Sequence, residues 1–370
     1  MKKYLTFIII ACCFIIVKAQ DPIFDLSYQN RLFMNPAFCG NDGAGRFRIA
    51  SFNHEQFINN RGPFNFTSAS VDYGICRTPL SIGLIAWNEN QGDGFLKTNA
   101  ASFIIGSGLS ITDFSALSVG IQFDILNYSV DWSKYVFSDQ LDPVKGITQT
   151  SSNSTAPIIN QFTPGLSGGI NYTKWNHRHT QVINGGFAFH QTFIRPQLAL
   201  LSTTVQVPSR YTLHFGYLIK QNPNYIDNAV ELTLRHDIQS NNNTTIFNFA
   251  YYINSTIVLG TGIRFSLYNQ DFYKNSYKPI GELRIMPTET FKIVLSYGYN
   301  IASNSSGLGN AIELGIVFLP KAKYCNPLDV FKSGAAQSSG GAYNKKGKGK
   351  FGKGRQECPV YTKDKIIPTF

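Results

Sequence analysis

The stretches FKIVLSYGY (Phe291–Tyr299) and AIELGIVF (Ala311–Phe318) decide the fold, because each carries an apolar or aromatic residue at every second position. An alternation with a period of two predicts β-strands, since successive side chains of a strand point to opposite faces. The second face carries residues such as Lys292, Ser296 and Glu313. Only one face of each strand therefore favours an apolar environment.

The same pattern predicts fourteen strands in the chain. Many such strands behind an export signal are typical of an outer-membrane β-barrel. We therefore predict an all-β fold: a closed antiparallel transmembrane barrel of about 14 strands at residues 46–320, preceded by a periplasmic segment at residues 20–45. A soluble two-domain β-sandwich is the alternative. The predicted strands are 46–52, 66–73, 81–88, 99–110, 115–126, 165–173, 182–190, 210–219, 229–237, 245–253, 256–268, 278–286, 290–300 and 308–318.

A basic start, an apolar core and a small-residue cleavage site predict a secretory signal peptide at residues 1–19. The apolar core, Leu5–Val17, is too short to span a bilayer as a helix. Cleavage after Val17-Lys18-Ala19 would leave Gln20 as the first mature residue. A lipobox ending at Cys12 is the competing interpretation, but apolar residues continue beyond it where a lipoprotein would turn polar.

Positive charge is concentrated at the two ends of the sequence. The chain carries 33 Lys and Arg against 22 Asp and Glu, and the tail at residues 321–370 holds 11 of the basic and 3 of the acidic residues. Part of this tail, Gly334–Gly354, is rich in Lys, Gly and Ser and is predicted to be disordered, because it cannot bury apolar surface. No nucleic-acid partner is expected, because export removes the chain from the cytoplasm.

Seven charged residues fall on the polar faces of the predicted strands. They are expected to point into the lumen, because a charge directed at lipid costs about 2–4 kcal/mol at the bilayer midplane. Their mixed signs favour a network that fills the barrel, and a water-filled pore is the alternative. The residues are Asp124, Glu231, Arg235, Asp237, Arg264, Lys292 and Glu313.

Four cysteines remain after removal of the signal, and they allow three full pairings that the spacing does not distinguish. Exported proteins meet oxidising surroundings, so a disulfide is expected. Cys325 with Cys358 is favoured, because both lie in the tail and each is followed by Pro within two residues. Gly347–Lys353 has the spacing of a phosphate-binding loop, but Gly354 follows where Ser or Thr is needed and no predicted strand or helix flanks it. The sequence therefore predicts no catalytic, cofactor or metal site and no enzyme activity.

Several segments resemble the PorP/SprF family of Bacteroidota outer-membrane proteins of the type IX secretion system. The start QDPIFDLSYQNRLFMNPAFCG (Gln20–Gly40) and the stretch DWSKYVFSDQLDPVKGI (Asp131–Ile147) match the family's opening and one of its loops. Further resemblance lies in Gly185–Gln197, Pro208–Ile219 and Asn310–Pro320, although the His that usually precedes Glu313 is absent. The family motif corresponds here to Asn35, Pro36, Ala37, Phe38, Gly40, Asp139, Gln140, Asp142 and Pro143.

The resemblance implies a barrel in the outer membrane of a Gram-negative cell that serves protein secretion and gliding motility. It implies partners among the periplasmic ring and motor proteins of the secretion system, a secreted surface adhesin, and the outer-membrane lipid. It implies no cofactor and no catalysis. A general outer-membrane pore or solute channel is the alternative function.

Overall fold

A computed structural model shows a closed barrel of fourteen antiparallel strands. Residues 1–23, residues 321–370 and several internal stretches lie outside the part of the chain that is described, and with them the predicted signal peptide and tail. The described residues are 24–56, 64–76, 78–92, 96–130, 136, 140–142, 146–147, 160–192, 197–200, 203–206, 208–222, 226–240, 242–268, 276–301 and 309–320.

Each of the fourteen predicted strands corresponds to one barrel strand, which confirms the predicted fold class. The barrel strands are β1 (Phe47–Gln56), β2 (Phe64–Gly74), β3 (Leu80–Gln91), β4 (Leu96–Thr112), β5 (Ser115–Val130), β8 (Asn160–Trp175), β9 (Gln181–His190), β12 (Arg210–Ile219), β13 (Ala229–Gln239), β14 (Asn242–Tyr252), β15 (Ile257–Tyr268), β16 (Ser276–Thr288), β17 (Phe291–Gly298) and β18 (Ala311–Phe318). Two short hairpins lie outside the barrel sheet: β6 (Leu141–Asp142) with β7 (Gly146–Ile147), and β10 (Gln197–Leu200) with β11 (Thr203–Gln206).

The barrel closes where β18 pairs with β1. The antiparallel register runs from Ile49 opposite Phe318 to Gln56 opposite Ala311. The sheet therefore begins and finishes at one rim, which we call the terminus end, and Gln56 and Ala311 mark the opposite rim, the loop end. No helix among the described residues is long and apolar enough to cross a membrane.

The two faces of the sheet differ as the alternation predicts. Along β18, Ile312, Leu314 and Ile316 are exposed on the outside, while Glu313 between them is fully buried. Six of the seven charged residues predicted to face the lumen are buried, and the seventh, Lys292, reaches a residue inside the barrel. Lipid-facing and lumen-facing positions are therefore assigned correctly by the pattern.

Residues 24–45, which we call the strap, lie inside the barrel. The sequence predicted a periplasmic segment at residues 20–45, but the strap residues 24–40 are all buried by the barrel. The physical reason is their apolar content: Phe24 packs against Phe52 and Phe66 of the wall. The strap contains a one-turn helix α1 (Arg31–Met34) and a 3₁₀ turn at Pro36–Phe38.

The strap runs from the loop-end half of the lumen down to the terminus end. Near its start, Asp25 contacts Lys278 close to the loop end of β16. At its finish, the Gly45 amide donates to the Gly74 carbonyl at the terminus end, 2.7 Å away. The strap thus spans most of the lumen before the chain enters β1.

Candidate functional site: the strap and the wall that holds it

The Asn35-Pro36 turn fastens the middle of the strap to the barrel wall. The Asn35 side chain is fully buried; its Oδ1 accepts from the Ala37 amide at 2.9 Å and thereby caps the 3₁₀ turn. Its Nδ2 donates to the Ile170 carbonyl at 3.0 Å and to His214 Nε2 at 2.9 Å. One side chain therefore shapes the turn and also bonds it to two strands.

Glycines in the wall make room for this turn. A Cβ added to Gly120 would lie 2.4 Å from the Pro36 carbonyl oxygen, and one added to Gly169 would collide with the Asn35 amide. Both positions lie on strands, where glycine commonly marks a close approach of another backbone. The wall and the turn are consequently matched in shape at these two points.

The other motif residues of the strap continue this contact toward the terminus end. The Phe38 ring lies 5.1 Å from the His214 ring, between ring centroids. Gly40 has a φ of 71°, a conformation that favours glycine, and its amide donates to Asp72 Oδ2 at 2.9 Å. Between them, Cys39 is buried with a free thiol, and burial raises its pKa to about 12, so the thiol is unreactive at neutral pH.

Glu313 holds the beginning of the strap. Its carboxylate accepts hydrogen bonds from the main-chain amides of Asp25 and Leu26, at 2.5 and 2.7 Å, and from His54 Nδ1 at 2.6 Å. The side chain is 0% exposed. Charged acceptors of this kind form the stronger hydrogen bonds of proteins. Glu313 therefore joins β18 to β1 and to the strap through a single carboxylate.

Two cations of the wall pair with the side chain of Asp25. Lys278 Nζ lies 2.8 Å and Arg264 Nη1 3.2 Å from its carboxylate oxygens. Burial alone would raise the pKa of Asp25, but the charges of Lys278 and Arg264 outweigh burial and hold the pKa well below its ordinary value. Asp25 therefore stays ionised and attached to the wall throughout the physiological range.

Asp25, His54 and Glu313 together offer three donor atoms within 4.8 Å of one another, which is close enough for a metal ion. These atoms already have protein partners: the Glu313 carboxylate receives three hydrogen bonds and Asp25 pairs with two cations. A metal would have to displace those partners, close to two positive side chains. The geometry therefore fits a cluster of hydrogen bonds and ion pairs that holds the strap to the wall better than it fits a cation site.

Other wall side chains recognise the main chain of the strap rather than its side chains. They contribute five donors to strap carbonyl oxygens: Arg48 to Gln29 at 2.6 Å, Ser81 to Cys39 at 2.8 Å, His190 to Met34 at 3.2 Å, Asn248 to Asp25 at 3.4 Å, and Arg210 to Phe33 at 3.5 Å. Buried main-chain groups that lack such partners would cost folding energy. The wall thus satisfies an irregular segment that could not otherwise be buried.

A second polar network fills the lumen beside the strap. Arg284 donates to Glu231 at 2.8 and 3.0 Å and to Glu282 at 2.5 Å, and all three side chains are buried. Arg235 pairs with Asp237 at 2.7 Å. Opposite charges are paired within β16, within β13 and, through Arg284 and Glu231, between these two strands, which are not neighbours in the sheet, so this part of the inner surface is packed rather than lined for the passage of ions.

The loop portion of the motif is only partly described. Gln140 is buried, and Asp142 pairs with Gly146 in the short β6–β7 hairpin. Asp139 and Pro143 lie outside the described residues, as do Cys325 and Cys358.

Sequence reasoning missed the partners of the strap. Asp25, Lys278 and His54 were not singled out, although the placement of Arg264 and Glu313 on inward faces signalled that something charged or polar would meet them. Asp25 lies within the matched opening, so a search for polar partners of the inward charges could have started there.

Comparison with known proteins gives one family and several similar folds. The family model described as type IX secretion system membrane protein PorP/SprF matches residues 16–318. No curated protein matches the chain. Among solved structures, the TodX deltaS2S3 mutant monoaromatic hydrocarbon channel is 11% identical with a TM-score of 0.46, the match covering 78% of this chain and 92% of that chain. The Ralstonia pickettii toluene transporter TbuX is 12% identical with a TM-score of 0.43, covering 82% and 96%.

Proposed function

The chain belongs to the PorP/SprF family of type IX secretion system membrane proteins, and from that membership we propose that it acts as a closed outer-membrane scaffold rather than as a conduit. In this role it assists the secretion or surface attachment of large adhesins and supports gliding motility. It does so by linking the outer membrane to the periplasmic ring and motor proteins of the system.

The observation that carries the proposal is the filled lumen. The strap residues 24–40 are buried inside the barrel, and Asn35, Asp25 and Glu313 fasten them to the wall. A barrel whose interior is packed with its own chain offers its outer surface, its rims and its tail to partners. The competing function, a general pore or solute channel, would require the strap to leave.

The basic tail supports the second half of the proposal, the link to periplasmic proteins. Residues 321–370 follow β18 at the terminus end and contain 11 basic against 3 acidic residues. An even number of strands returns this end of the chain to the compartment in which the barrel begins, which is the periplasm for outer-membrane barrels. There the tail would bind acidic partner surfaces. The binding would weaken as the salt concentration rises, because exposed charges farther apart than about 8 Å are largely screened at physiological salt.

The proposal is tested by deleting the gene in its host and restoring either the full chain or a chain without Gly334–Arg355. The full chain should restore adhesin on the cell surface, measured by antibody labelling of intact cells. The shortened chain should assemble a barrel but lose co-purification with ring and motor proteins at low salt. If the gene deletion leaves surface adhesin and secretion unchanged, the proposed function is wrong.

A separate measurement distinguishes the scaffold from the pore. The purified full-length barrel, reconstituted in a planar bilayer, should show no steady conductance, because the strap fills the lumen. Steady ion-conducting openings of the unmodified protein would instead favour the solute channel.

A further inference from the structure

Cys76 is disulfide-bonded, and its position indicates the partner. It lies in the turn between β2 and β3, at the terminus end, and is partly exposed. The other described cysteine, Cys39, is buried in the strap with a free thiol. The partner of Cys76 is therefore one of the cysteines outside the described residues, and Cys12 and Cys13 belong to the predicted signal peptide.

Arg46 brings the end of the barrel next to this turn. Its Nε donates to the Pro320 carbonyl at 3.2 Å, and its own main-chain carbonyl accepts from the Gly74 amide at 3.4 Å. Gly74 is two residues before Cys76. The last described residue of the chain is thus held beside the turn that carries the bonded cysteine.

Two cysteines, Cys325 and Cys358, remain as possible partners of Cys76, and they differ in the length of chain that joins them to Pro320. Cys325 follows five residues later, a length that spans at most about 17 Å when extended, and Cys358 follows thirty-eight residues later. Because the probability of closing a loop falls with its length, the effective concentration of Cys325 at Cys76 is about twentyfold higher than that of Cys358. The shorter connection also starts from an anchored residue, which favours closure further.

We propose that Cys76 and Cys325 form a disulfide that fastens the beginning of the basic tail to the terminus end of the barrel. The two thiols together lose two protons and two electrons as the S–S bond forms. These pass to the disulfide of an exported thiol oxidant by exchange, and that disulfide is reduced to a dithiol. The bond leaves Cys358 as a free thiol, in place of the Cys325–Cys358 pair that the sequence favoured.

The proposal is tested by counting free thiols in the purified full-length mature protein, denatured without reductant and labelled with a maleimide polymer that shifts its mobility on a gel. The unmodified chain should take up two labels, at Cys39 and Cys358. Cys325→Ser should take up three, because it releases the thiol of Cys76. Cys358→Ser should take up only one. Both variants replace sulfur by oxygen in the tail, so each serves as the matched control for the other.

Each alternative pairing gives a different pattern and overturns the proposal. If Cys76 were joined to Cys358, the counts of the two variants would be exchanged. If Cys325 were joined to Cys358, both variants would take up three labels. Four labels on the unmodified chain would mean that no disulfide forms, and a dimer that disappears on reduction would mean that Cys76 bonds to a second copy. Mass spectrometry of the unreduced digest should find the Cys76 and Cys325 peptides joined.

Discussion

Replacing Glu313 by Gln should release the beginning of the strap while the barrel stays folded. The carboxylate receives two main-chain amides and one imidazole N–H at 2.5–2.7 Å. A glutamine amide keeps one acceptor oxygen, but its NH₂ group opposes the remaining donors. Hydrogen bonds to charged groups are worth about 1.5–3 kcal/mol each, and a buried donor left without a partner costs about as much again. A loss of about 3 kcal/mol is therefore expected for strap docking.

Hydrogen–deuterium exchange of the folded protein measures this loss directly. A free-energy change of about 3 kcal/mol corresponds to a factor of about a hundred or more in the opening equilibrium, since about 1.4 kcal/mol is a factor of ten. Peptides that cover residues 24–34 should exchange faster by about that factor in Glu313→Gln. The barrel strands should keep their protection, because the main-chain ladder of β18 with β1 and β17 is unchanged.

Glu282→Gln is the matched control for this experiment. Glu282 is also a buried carboxylate facing the lumen, and it bonds Arg284, which retains its two bonds to Glu231. This variant should leave strap exchange as in the unmodified protein. Unchanged strap exchange in Glu313→Gln, or equal acceleration in both variants, would refute the role assigned to Glu313.

Three further predictions follow from the same geometry. Because the pKa of Asp25 is held below its ordinary value, its contribution to strap docking should be constant above about pH 4 and be lost as pH falls below that, as seen in strap exchange; a loss between pH 8 and 5 would contradict it. Gly120→Ala should accelerate strap exchange, because its Cβ would press on the carbonyl of the strap proline, whereas Gly281→Ala, with nothing within 4 Å, should not; equal effects would contradict the fit. Leu295→Arg, on the lipid face, should reduce folded barrel in membrane fractions far more than Ser296→Arg, on the buried face, and equal losses would mean that the facing is misassigned.

The fourteen strands could be predicted from the sequence because a period of two is a local signal. Each alternating segment also indicated which face meets lipid, and the burial of Glu313 between exposed Ile312 and Leu314 agrees with that assignment. The alternation did not give the lengths of the strands. β5 extends to Val130 and β8 begins at Asn160, each several residues beyond the predicted bounds. Strand ends depend on pairing with neighbours, which a single segment does not contain.

The strap could not be placed from the sequence because its partners are far away along the chain. Asp25 and Glu313 are 288 residues apart, and Asn35 bonds to main-chain groups and to His214 from strands much later in the sequence. Nothing in a strand pattern indicates which inward residues meet a segment that is itself irregular. The motif around Asn35 could be recognised as a resemblance, but its position inside the barrel could not.

The pairing of charges explains why the strap is an integral part of the fold rather than a weakly bound plug. Arg264 and Lys278, which are partners on the neighbouring strands β15 and β16, contact Asp25 directly, and Glu313 accepts from the strap amides. Without the strap, these wall groups would lose their partners, and water would have to enter to solvate them. Removing one partner of a buried ion pair is strongly destabilising, at about 3–5 kcal/mol.

Several such contacts act on one short segment, so partial release at Glu313 would still leave the Asn35 turn attached. A channel that opened readily would need fewer or weaker contacts on its plug, and this arrangement therefore favours a barrel that stays closed while its rims and tail bind partners.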